Sequence, residues 1–204
     1  SAASDVYKRQ IHTTIIYSSC QEETEDYFMA TIDLIVLGIL KKESLSAYDI
    51  QKLVEYRNIS KWVKISTPSI YKKVIQLEEK GYITSTTIKE GKMPEKAVYT
   101  LTDSGHHQFE KLMMEISCKP INIFLDFNAV IVNIDSLSKD TQKLCLANIE
   151  SNVQTLKSYL EENMNLKKDV PEIPETGIAV LEQQYILTQA IETWIASMKE
   201  RFDL

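Results

Sequence analysis

Between Ile65 and Gly105 the chain runs through a helix start, a helix stop, two β-prone runs and a second helix start in quick succession. Few folds accept that order. Thr67 reads as a helix N-cap because Pro68 follows at the first helical position, where a missing N–H costs nothing. Ile70, Val74 and Leu77 then recur at i, i+4 and i+7, which sets a buried face. Ser66, Thr67, Ser69, Lys72, Lys73 and Gln76 fall on the start of this helix and its other faces. Gly81 supplies a C-terminal stop. Tyr82–Ile88 and Ala97–Leu101 are rich in Thr, Tyr, Val and Ile and read as strands, joined by a turn-rich tip that carries Lys89, Lys92 and Lys96. Helix, glycine stop, basic-tipped hairpin and helix together predict a winged helix-turn-helix, a unit that commonly sets a short helix in the DNA major groove.

The flanking sequence is helical. Ala30–Lys42 presents Ile32, Ile35, Val36, Ile39 and Leu40 on one face, and Gly38 within it signals a close packing contact. Ser44 or Ser46 caps a helix over Ala47 to Arg57 whose buried side is Tyr48, Ile50, Leu53 and Val54. Thr102 or Asp103 caps another through Phe109, Leu112, Met113 and Ile116 to Cys118, ended by Pro120. Ile121–Ile134 is apolar enough to read as a buried helix. Ser138 caps a long helix to Leu166, in which Leu146, Ile149, Val153, Leu156 and Leu160 follow a coiled-coil-like 3-4 spacing. Lys167–Thr176 is a linker. A last helix starts near Gly177, presents Ile178, Leu181, Tyr185, Ile191, Trp194, Ile195 and Met198, and ends near Arg201 or Phe202. The expected fold is therefore mainly α with a small β-hairpin wing. It divides into a winged helix-turn-helix over 29–117 and a helical domain over 118–204. Residues 1–28 start on serine, are polar and acidic before Met29, and read as an extension outside the fold: upstream or vector-derived sequence, or a docking arm.

Composition narrows the chemistry. Three widely spaced cysteines form no CxxC and no disulfide framework, which points to a reducing, cytoplasmic setting. His106 and His107 are adjacent, so on a helix they point about 100° apart and do not share a metal. No run of about 18 apolar residues suggests a membrane span. No nucleophile–base pair, acid pair or phosphate-cradling loop argues for an enzyme, and no cofactor is implied. The net charge of −6 is unevenly spread. Residues 29–119 hold 14 Lys and Arg against 11 Asp and Glu, whereas residues 120–204 hold 7 against 13. A positively biased module on an acidic body suits nucleic-acid binding. A helix N-terminus with small hydroxyl side chains approaches phosphate closely, lysines add charge, and Ser and Gln reach base edges. Tyr71 either packs in the core or packs its ring while its hydroxyl meets a phosphate. The candidate DNA contacts are Ser66, Thr67, Ser69, Tyr71, Lys72, Lys73 and Gln76 on the helix, with Lys92 and Lys96 on the wing. The competing reading for the lysines is a solvated surface, and for the whole unit a protein-interaction module without DNA binding.

Four segments also resemble the PadR family of transcriptional regulators. Asp33-Leu34-Ile35-Val36-Leu37-Gly38-Ile39-Leu40 resembles its opening helix, and Ala47-Tyr48-Asp49-Ile50 its "GYEI" stretch. Ser66-Thr67-Pro68-Ser69-Ile70-Tyr71 with Leu77-Glu78-Glu79-Lys80-Gly81-Tyr82-Ile83 is similar to its recognition helix and exit. Val98-Tyr99-Thr100-Leu101-Thr102-Asp103-Ser104-Gly105 resembles its closing strand and "LTxxG" turn. The resemblance spans Met29–Phe109. It departs at Ala47 and Ser69, where glycine is usual, and in the wing at Lys92, Glu95, Lys96 and Ala97, where arginine is frequent. It implies a dimer built on the C-terminal helices, with Trp194 near a tryptophan often found in the last one. It implies recognition of a near-palindromic double-stranded operator, and a small aromatic or cationic effector. Phe124, Phe127, Tyr185 and Trp194, along with Tyr159, are the aromatics that such a pocket would draw on, unless they are simply core or interface residues.

Overall fold

The computed structural model describes residues 30–63, 65–89 and 95–203. The expectations for residues 1–28 and for Lys92 lie outside them. The described residues form two compact units, divided between Pro120 and Ile121.

In the first unit, α1 (30–40) buries Ile32, Val36, Leu37, Ile39 and Leu40. Gly38 lets the Phe109 ring approach so closely that an added Cβ would sit 3.2 Å from Cε2. A two-residue strand, β1 (Leu45–Ser46), follows, then α2 (Ala47–Tyr56). Ser46 caps α2 reciprocally: its hydroxyl accepts from the Asp49 N–H and donates to Asp49 Oδ2 at 2.7 Å. A single 3-10 turn, Ile59–Lys61, leads on to α3 (Ser69–Glu79). The start of α3 differs from expectation. Pro68 rather than Thr67 holds the cap position, and no side chain caps it. Instead Ser69 N–H bonds the Ser66 carbonyl and Ile70 N–H that of Thr67, so Ser66–Ser69 forms a turn that winds directly into the helix.

The exit of α3 is set by Gly81, at φ +73°. Gly81 N–H bonds the Glu78 carbonyl and Tyr82 N–H that of Leu77, the paired closure of a Schellman motif. The chain then enters β2 (Ile83–Ile88) and returns as β3 (Lys96–Leu101), antiparallel, with Ile83 opposite Leu101 and Ile88 opposite Lys96. β1 pairs with the other edge of β3, Leu45 opposite Tyr99, giving the order β1-β3-β2. Thr102 caps α4 (Asp103–Ser117) by accepting from Gly105 N–H. The same hydroxyl donates to the Gly81 and Tyr82 carbonyls, fastening the start of α4 to the exit of α3. Ile70, Val74 and Leu77 of α3 join Ile50, Val54, Leu37 and Ile83 in one core.

In the second unit, the buried helix expected over Ile121–Ile134 is absent. Pro120 and the polar Asn122, Asp126 and Asn128 interrupt the apolar run, so no continuous face forms. Only α5 (Asn128–Ile131) and a 3-10 turn at Ile134–Ser136 appear, while Ile121, Ile123 and Phe124 lie exposed. α6 (Lys139–Lys167) is capped by Ser138, and α7 (Glu175–Phe202) returns antiparallel to it. Ile149 and Val153 of α6 pack with Ile195 of α7, and a polar ladder runs beside this apolar contact. Glu150 meets Lys199 at 2.5 Å, Glu192 meets Lys157 at 2.7 Å and also Gln154, and Tyr185 donates to Glu161 at 2.7 Å. Leu146, Ile149, Val153 and Leu160 of the expected seam are buried, but Leu156 is not. Among the described residues no helix is long and apolar enough to cross a membrane.

Candidate nucleic-acid interface

α3 is amphipathic, and its two sides divide its residues by function. Ile70, Lys73, Val74 and Leu77 face inward. Tyr71, Lys72, Ile75 and Glu79 face outward, with Gln76 half-buried beside them. Residues at i and i+4 are neighbours on a helix surface, so Tyr71–Ile75 and Lys72–Gln76 form two adjacent rows. Ser66 is exposed and Thr67 and Ser69 are half-buried in the turn that leads into the helix. The expected helix contacts other than Lys73 therefore gather on the open side of α3 and its N-terminal turn. Tyr71 is 45% exposed, which rules out the reading that its ring fills the core.

Lys73 is a correction. It is 3% exposed, and its ammonium lies 2.8 Å from Asp33 Oδ1 of α1. It completes the inward stripe at three residues after Ile70 and four before Leu77. Enclosed in this way it ties the helix to α1 and does not face a groove.

Lys96 opens β3 on the wing and is exposed, 3.9 Å from Asp49 Oδ2 at the start of α2. Lys89 and Glu95 approach to 3.7 Å at the other edge of the hairpin tip. Exposed Lys80 at the C-cap of α3 and Lys61 in the 3-10 turn add positive charge to the same unit and were not singled out by motif. Ile75 was missed as well. Its signal in the sequence was its position one turn after Tyr71 and off the inward stripe.

The four aromatics named for an effector pocket do not form one group. Phe127 and Trp194 stack, with centroids 5.8 Å apart and planes 28° apart, against Ile149, Val153 and Ile195. The Tyr185 hydroxyl is instead held by Glu161, and that hydrogen bond, first among its causes, raises the phenol above its ordinary pKa. Phe124 is 87% exposed. An open hollow of about 280 Å³ lies elsewhere, among Leu45, Asp49, Lys52 and Tyr56 of the first unit.

Residues 36–111 match the model of the transcriptional regulator PadR-like family. Over 111 residues, 54% of this chain, the sequence is 29% identical to the negative transcriptional regulator PadR of Bacillus subtilis, and the match spans 60% of that protein's length. The crystal structure of Bacillus subtilis PadR in complex with operator DNA has the same fold, with a TM-score of 0.71 at 24% identity over 82% of this chain and 97% of that one. The structure of the same protein in complex with p-coumaric acid gives a TM-score of 0.72 at 21% identity, covering 86% of this chain and 97% of that one. Over residues 36–111, its winged-helix unit, the chain is thus similar to the PadR-like family of transcriptional regulators.

Proposed function

We propose that the chain acts as a homodimeric repressor that binds a near-palindromic operator and is released from it by a small-molecule effector. The observation that carries this reading is the open side of α3. Tyr71 and Lys72 stand clear of the core, with Gln76 half-buried beside them, on a helix whose other side is locked into it. Such a helix presents a phosphate-binding cation, a base-edge amide and an amphipathic aromatic on one rigid surface. The repressor sense and the DNA target draw support from the Bacillus subtilis relative, a negative regulator whose structure includes operator DNA.

Dimerisation draws support from the α6–α7 hairpin. Leu144, Leu156, Leu166, Ile186 and Leu187 remain exposed on these two helices, more apolar surface than a polar ladder requires. A two-fold partner would cover it, and would also present two α3 helices to two half-sites. For the effector, the Phe127–Trp194 stack is the aromatic surface in this chain suited to a planar ring. A small aromatic acid of the kind bound by the relative is the first compound class to try. A reducing cytoplasm suits the exposed thiol of Cys118.

The test is a gel shift of the full chain on the DNA upstream of its own gene, with Lys72→Ala and Tyr71→Ala in parallel. The wild-type protein should bind at low salt, each variant should bind more weakly, and p-coumaric acid or a related ring acid should release the complex. Failure of the wild-type protein to bind at low salt would leave the alternative, a winged helix that contacts proteins only.

A further inference from the structure

Ile75 is a large aliphatic side chain on the outer surface of α3, 52% exposed and outside the core that encloses Ile70, Val74 and Leu77. It sits one turn after Tyr71 in the same row, beside the row that carries Lys72 and Gln76. An aliphatic group at the centre of an otherwise polar reading surface has one chemical complement in duplex DNA. The major groove displays hydrogen-bonding edges at every base pair, but only thymine adds an apolar group there, its C5-methyl.

We propose that Ile75 is a specificity residue that packs on a thymine C5-methyl in each half-site. This rests on the reading of α3 as the groove-entering helix and adds to it the base that the helix selects. Lys72 beside it supplies charge to the backbone without sequence preference, and Gln76 reaches a neighbouring base edge. The division of labour is testable because the methyl can be removed without altering any hydrogen-bonding group.

A randomised duplex library would be selected on the full chain. The best-recovered duplex would then be resynthesised with each thymine replaced in turn by deoxyuridine. Wild-type protein should lose about fourfold in affinity at one thymine per half-site, the effect of leaving one methyl unburied. Ile75→Ala should bind the thymine and deoxyuridine duplexes equally. Ile75 lies outside the core, so this variant keeps its fold, which its far-UV circular dichroism would verify. Lys72→Ala is the control: it should weaken both duplexes alike and retain the fourfold preference. Equal wild-type binding to all deoxyuridine duplexes would overturn the assignment while leaving DNA recognition intact. A preference that survives in Ile75→Ala would overturn it too, since another group would then read the methyl. If the wild-type protein binds no duplex at 50 mM salt, both this inference and the operator-binding reading fall together.

Discussion

An ammonium as enclosed as that of Lys73 is stable only with its counter-charge in place. Removing a charge from water costs several kcal/mol, and the nearby Asp33 carboxylate offsets that cost. Asp33→Ala should therefore destabilise the chain by about 3 kcal/mol, because it removes a buried counter-charge instead of merely losing a contact. The paired change Asp33→Leu with Lys73→Met should recover most of that loss. Urea unfolding of the three proteins checks both expectations, and a loss near zero for Asp33→Ala would mean that Lys73 escapes to solvent. Gly105 is a second strict position. A Cβ there would lie 2.0 Å from the Tyr82 carbonyl oxygen and 2.9 Å from Leu101, and the carbonyl is fixed by Thr102. Gly105→Ala should cost about 3 kcal/mol, the upper range for forced overpacking, read as a lower urea midpoint. Both residues show what a single sequence conveys. Gly105 stood in a recognisable turn, so its importance was legible. Lys73 was misread because a lysine beside a lysine suggests a basic surface, although its spacing from Ile70 and Leu77 placed it on the inward stripe.

At the scale of elements, the features set by local chemistry were the legible ones. Ser46, Thr102 and Ser138 cap their helices, and Gly81 closes α3, because a hydroxyl or a left-handed glycine acts on neighbours within a few residues. Ile121–Ile134 failed because apolar content without a consistent period does not define a face, and a helix without a face gains little by forming. The two-residue strand β1 was too short to carry any periodic signal and exists only through its pairing with β3. The α6–α7 hairpin depends on partners far apart in sequence, notably Lys157 with Glu192. The hydrogen bond from Lys157 is the main cause that holds the Glu192 carboxyl below its ordinary 4.5, and the same bond raises Lys157 above its ordinary 10.5. A depressed acid stabilises the fold above its ordinary value and loses that contribution as pH falls through the lowered one. A raised base stabilises it below its ordinary value and loses that contribution as pH climbs through the raised one. The pair's contribution should thus be level from about pH 5 to 10 and decline on either side. In a Trp62→Phe background, Trp194 alone reports the hairpin. Its urea midpoint should fall on acidification below pH 4.5, and Glu192→Gln should lower the neutral midpoint slightly while flattening that fall. Identical acid limbs would show that the pair has no energetic role.

For the whole molecule, a net charge of −6 has to be reconciled with the proposed polyanionic target. Charge repulsion between the acidic 120–204 region and DNA is screened beyond about 10 Å at 0.1 M salt, whereas a lysine touching a phosphate acts inside that distance. Affinity should then be governed by the few cations on α3 and the wing, and the total charge should matter only when salt is very low. If each of two subunits neutralises about three phosphates, the plot of log affinity against log salt has a slope of about −5. Between 50 and 200 mM salt, binding would weaken about a thousandfold. Lys72→Ala removes one phosphate contact per subunit, so the slope should become shallower by about 2 for a dimer and by about 1 for a single subunit. The same titration therefore reports subunit number on DNA as well as contact chemistry. At about 10 mM salt the screening length reaches about 30 Å, and the acidic region begins to oppose association, so the wild-type plot should bend below its high-salt line. Fluorescence anisotropy of a labelled upstream duplex, titrated at five salt concentrations, measures slope and curvature together. A slope near zero would remove phosphate contact from the account of this surface. A slope of about −5 left unchanged in Lys72→Ala would assign the contacts to other cations, with Lys80, Lys61 and Lys96 the next to replace.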